Sequence, residues 1–127
     1  MRYLGIDYGS KRVGIAISDA SGKIAFPREV LQNDKNLLKR IATLCEKEKV
    51  EAIILGQSLN FKGNENPIQS YIANCKLRIE SLTKLPVHYQ SEILTSALAS
   101  RNTAKPLLDA SAAALILQSW LDKQPKL

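Results

Sequence analysis

The chain has 127 residues, 45% hydrophobic and 24% charged, enough to bury a core as one domain over residues 1–127 without disulfides or a structural metal. No apolar run approaches the roughly 20 residues of a spanning helix, and the opening MRYLGID lacks the basic-then-apolar pattern of a secretory signal, so a soluble, cytoplasmic protein with no membrane partner is expected. The formal charge of +6 leans towards polyanionic partners, because clustered Lys and Arg neutralise phosphates and release counterions.

Residues Arg2 to Ile6 and Arg12 to Ser18 are short and rich in apolar and β-branched types, with Gly9 and Ser10 between them, which predicts a β-hairpin. A third extended run, Ala25 to Leu31, follows the Ser21-Gly22 turn signal and completes an antiparallel meander. From Lys35 to Lys49, Leu37, Leu38, Ile41, Leu44 and Cys45 recur at helical spacing, with Asn33 or Asp34 available as the cap. Glu51 to Gly56 is a continuous apolar run of the kind found in a strand covered on both faces. A helix feeding such a strand implies a crossover and a parallel pairing.

The polar stretch Gln57 to Pro67 predicts a loop, and Ile68 to Leu82 a second helix carrying Ile68, Ile72, Cys75, Ile79 and Leu82 on one face. Pro86 to Gln90 reads as a short strand, Leu94 to Ser100 as a short helix, and Leu107 to Leu121 as a closing helix with Asp109 in its first turn. The expected architecture is α/β: a five-stranded mixed sheet, three antiparallel strands then two parallel, flanked by helices. Cys45 and Cys75 form no metal or redox spacing and are expected as reduced helix residues.

Asp7 stands at the end of the first strand beside a Gly turn, a place where Asp alone is ordinarily a turn former. The longer string around it, LGIDYGSKRVGIAISD from Leu4 to Asp19, resembles the opening of the YqgF family, RuvC-like nucleases of the RNase H-like superfamily. The likeness continues in order through IILGQSLNFKGNENP (Ile53 to Pro67), PVHYQSEILTSALA (Pro86 to Ala99) and DASAAALILQSWLD (Asp109 to Asp122). It implies an RNase H-like fold and an acidic cluster of Asp7, Glu92 and Asp109 that serves both as catalytic group and as ligand for Mg²⁺ or Mn²⁺. It also implies hydrolysis of phosphodiester bonds in structured RNA, in particular 5′-end processing of pre-16S rRNA on ribosomal precursor particles, or in branched DNA as a Holliday junction resolvase. Hard carboxylate oxygens suit such ions, which activate water and stabilise the leaving oxygen.

The family segment that reads Asp-Glu-Arg-Leu-Thr-Thr is here Ser91-Glu92-Ile93-Leu94-Thr95-Ser96, so one acid and one Arg are missing. The stretch Arg101 to Leu108, which relatives extend as a basic loop, is short. Those departures support an alternative: a nucleic-acid- or ribosome-binding module with weakened catalysis. Substrate contacts are expected from Lys11 and Arg12 at the hairpin tip, from Ser58, Asn60 and Lys62 after the fourth strand, and from Thr95. GQSLNFKG is not a phosphate-cradling Walker loop. His88, within a strand, and Trp120, on the last helix, are expected to be structural.

Overall fold

The computed structural model describes residues 1–57, 69–91 and 105–124, with the backbone alone for Ser91 and for residues 105–109. Alternation at period two assigns the first strand, β1 (Tyr3–Tyr8), to two packed layers. Leu4 and Ile6 enter one core cluster, while Tyr3 joins the other. β1 pairs antiparallel with β2 (Arg12–Ser18), which pairs antiparallel with β3 (Ala25–Gln32).

The chain then crosses the sheet through helix α1 (Leu37–Lys47), whose buried face is Leu37, Ile41, Leu44 and Cys45. It returns as β4 (Ala52–Gln57), parallel to β1. Ile53, Ile54 and Leu55 are fully buried, as expected of a strand covered on both sides. Helix α2 (Gln69–Thr83) leads to β5 (Val87–Ser91), parallel to β4, and α3 (Lys105–Asp122) closes the described fold. The sheet order is β3-β2-β1-β4-β5, the mixed arrangement expected from the sequence.

Two cores hold the layers. On one face Ile41, Ile72, Cys75 and Ile79 of α1 and α2 pack on Leu4, Ile6, Ile15, Ile53 and Leu55. On the other, Ala113, Ile116, Leu117 and Leu121 of α3 pack on Ala16 and Ile54. Both cysteines are free and buried, and burial pushes each thiol up to about 11. Trp120 lies against Tyr3 at 5.1 Å and stacks on His88 at 5.3 Å, which gives both His88 and Trp120 the structural roles expected.

Two local expectations are corrected. The residue preceding α1 is Asn36, which makes no side-chain cap. Asp34 acts one turn earlier, accepting the Asn36 amide at 2.9 Å, and that bond holds its carboxyl below the usual range. Asn33 does something else, described below. Asp109 is the fifth residue of α3 rather than a member of its first turn, because the helix starts at Lys105 with Pro106 inside its first turn. Proline suits that place: the missing N–H is one that would have no partner inside the helix. The helix expected over Leu94 to Ser100 lies outside the described residues.

Candidate active site at the carboxyl rim of the sheet

Asp7 is the fifth of six residues in β1, half-buried, and pairs across the ladder with Gly14. Ile6 and Leu55 are the last paired residues on the β4 side, so the next β4 residue beyond that pair is Gly56. Asp7 therefore lies in a row of the sheet where both flanking strands contribute glycine, with Arg12 of β2 two residues from its ladder partner and on the same face. Alternation puts Asp7 on the face of Tyr3 and Gly5, the face that α3 covers.

Gly5 governs how closely α3 approaches. A methyl group there would meet the Leu117 Cβ at 2.8 Å and the Ala113 carbonyl oxygen at 3.0 Å. A glycine within a strand often marks such a close approach. That signal was present in the sequence, yet Gly5 was not among the expected functional positions.

The direction of α3 follows from these contacts. Trp120 is against Tyr3, and Ala113 and Leu117 are against Gly5, so α3 runs antiparallel to β1. Two strand residues advance about 6.8 Å and match about four to five helix residues. One further step, from Gly5 to Asp7, brings the helix backbone back to the turn containing Asp109. The Asp109 side chain is outside the described residues. β5 ends at Ser91, paired with Gln57 at the same rim, and Glu92 follows it outside the described residues. Among the described residues, no group of three or more His, Cys, Asp or Glu gathers as a metal site.

The hairpin tip beside Asp7 is tightly held. Asn33 donates from Nδ2 to the Gly9 carbonyl at 2.8 Å, and its backbone amide donates to the Lys11 carbonyl at 3.0 Å. A Cβ on Gly9 would collide with the Arg12 carbonyl oxygen, so the turn needs glycine there. Lys11 is exposed and Arg12 half-buried, both at the rim that carries Asp7. Ser58, Asn60, Lys62 and Thr95 lie outside the described residues. Gln90, two residues before Glu92, is buried and accepts a hydrogen bond from the Lys123 ammonium at 3.2 Å.

The fold is shared with solved structures of low sequence identity. The RuvC structure from Thermus thermophilus aligns with a TM-score of 0.65 at 15% identity, covering 95% of this chain and 94% of that one. The fowlpox virus Holliday junction resolvase aligns with a TM-score of 0.63 at 15% identity, covering 98% and 100%. A relative from Nitratidesulfovibrio vulgaris named "Putative pre-16S rRNA nuclease" is 35% identical over 96% of this chain and 94% of its own length. One of that name from Streptococcus pneumoniae is 35% identical over 98% of this chain and 99% of its own. The family model described as "RuvX: Holliday junction resolvase" matches residues 1–123, and with that match the chain belongs to the RuvX family, whose expected RNase H-like architecture it has.

Proposed function

We propose that this protein is a divalent-metal-dependent nuclease that hydrolyses phosphodiester bonds in structured nucleic acid, with precursor 16S rRNA as its substrate and residues 1–127 acting as one domain. The observation that carries the reading is the register at the carboxyl rim: Asp7 stands between two glycine-bearing rows, and α3 runs back towards it at the turn of Asp109. Ligands of open α/β sheets bind at this rim.

Asp7, Glu92 and Asp109 would hold Mg²⁺ or Mn²⁺ through carboxylate oxygens, the donors such ions prefer. When bound, the ion supplies Lewis-acid stabilisation of the leaving oxygen and an activated water. The chain supplies orientation. Ladder pairing to Gly14 fixes the Asp7 backbone, and the Asn33 bonds fix the hairpin that presents Lys11 and Arg12 to backbone phosphates. Ser58, Asn60, Lys62 and Thr95 complete the proposed substrate contacts.

Purified protein, a precursor 16S rRNA fragment and a four-way DNA junction, each with Mg²⁺ or Mn²⁺, test the reading. Wild type cleaves the rRNA fragment, and Asp7→Asn slows that cleavage by at least about a hundredfold. Equal cleavage by both proteins overturns the site. Preferential cutting of the junction favours the resolvase reading that the family description carries. Tight, salt-dependent binding without cleavage under either ion favours the binding module, which Ser91 and Ile93 motivate.

A further inference from the structure

A groove of about 660 Å³ runs between β3 and α1, lined by Arg28, Lys39, Arg40 and Lys47 with Glu29 as its one acid. Helix α1 covers the sheet face opposite Asp7, so this groove is separate from the candidate active site. We propose that it is a second nucleic-acid contact: a track for the phosphate backbone of a substrate arm that leaves the carboxyl rim and passes over the β3 edge. The inference rests on the nuclease reading and extends it to where the uncut part of the substrate lies.

Four observations support the track. The first is continuity. Gln32 pairs with Arg12, and Asn33 is bonded to Gly9 and Lys11, so the start of α1 lies beside the hairpin tip. The groove therefore begins at the rim that carries Asp7 and descends along α1.

The second is the spacing of charge. Lys39, Thr43 and Lys47 follow one another at four-residue intervals on α1, the ridge spacing of a helix, and all three are exposed. Arg28 and Arg40 have acid partners, Glu48 at 3.9 Å and Asp34 at 3.2 Å. Lys39 and Lys47 have none among the described residues, so theirs is the charge left for a phosphate, set against the single carboxylate of Glu29. The helix from Leu37 to Lys47 is about 16 Å long at 1.5 Å per residue, a stretch that faces four or five phosphates of one duplex strand.

The third is the shape of β3. Its register with β2 shifts between the partners of Ile15 and Ala16: Ile15 pairs with Glu29 and Ala16 with Pro27, leaving Arg28 as the extra residue of a bulge. A bulge re-aims a side chain, and this one brings Arg28 into the groove beside Glu29. The fourth is the lining between the cations, where the polar Asn36 and Thr43 suit phosphate oxygens.

The test uses the double variant Lys39→Glu/Lys47→Glu, both exposed positions, with Lys39→Gln/Lys47→Gln as the milder form. Affinity for a structured RNA or junction with long arms is measured over a salt series, beside a short substrate that reaches only the rim. Wild type prefers the armed substrate. The Glu variant reduces that preference at least about tenfold, and both variants lower the slope of log affinity against log salt by about 2, one contact for each lysine removed. Wild type that cleaves nucleic acid while the variants match its slope and preference overturns the track and leaves the nuclease reading standing. Wild type that neither binds nor cleaves any nucleic acid overturns both. Loss of binding to anionic phospholipid vesicles, with nucleic-acid affinity unchanged, would assign the groove to a membrane surface and overturn the proposal.

Discussion

Asp19 closes the turn between β2 and β3 with its own carboxylate. It accepts the Ser21 hydroxyl and the amides of Lys23 at 2.8 Å and Ile24 at 3.1 Å. These bonds, the Ser21 hydroxyl first, lower its pKa from 3.8 to about 2. A carboxyl depressed on folding stabilises the protein above its unfolded pKa, and that contribution is lost as pH falls through the folded value. Asp19→Asn is therefore expected to lower the thermal unfolding midpoint at pH 7. The gap from wild type should close as pH falls from about 4 to about 2. A gap that stays constant across that range would contradict this account of the turn. At this scale Asp7 was legible because it sits in a long string with a family likeness, and Asp19 was legible only as the end of that string. Asn33 was legible as a turn residue but not in its role. A cap and a long-range tie to Gly9 look alike in sequence, since both need only a short amide beside a helix start.

At the scale of elements, the contact between β1 and α3 matters most. Gly5→Ala would push a Cβ into Leu117 and the Ala113 carbonyl, where the backbone oxygen cannot swing aside as a flexible side chain could. Overpacking of this kind costs about 1–3 kcal/mol. Urea denaturation should show a lower midpoint with an unchanged slope. Cleavage should fall as well, because α3 carries Asp109 and can relieve the clash only by moving away from Asp7. Full stability in this variant would mean that α3 sits less tightly than the distances imply. The helices and the buried strand β4 could be read from periodicity, since Leu37, Ile41, Leu44 and Cys45 can share a face only in a helix. The start of α3 could not, because the sequence pattern opens the helix at Leu107 and the structure begins it at Lys105, with Pro106 inside the first turn. That shift of two residues moves Asp109 out of the first turn. An acid in a first turn needs no explanation beyond the helix dipole, whereas one in the second turn has less reason to be there on that ground.

For the whole molecule, the order of elements was legible because each connection constrains the next. A tight hairpin enforces antiparallel pairing, and a helix between strands enforces parallel pairing. The groove beside α1 was not legible. Its residues come from β3 and α1, and only the bulge at Arg28 and the packing of α1 bring them together. Nor can sequence alone say whether three acids spread over more than a hundred positions share one ion. Diffraction from crystals grown with Mn²⁺, recorded at the manganese absorption edge, addresses that directly. The account predicts an anomalous peak at the carboxyl rim, bound by Asp7, Glu92 and Asp109 and lost in Asp7→Asn. A peak held by other residues, or one that persists unchanged in the variant, would contradict it.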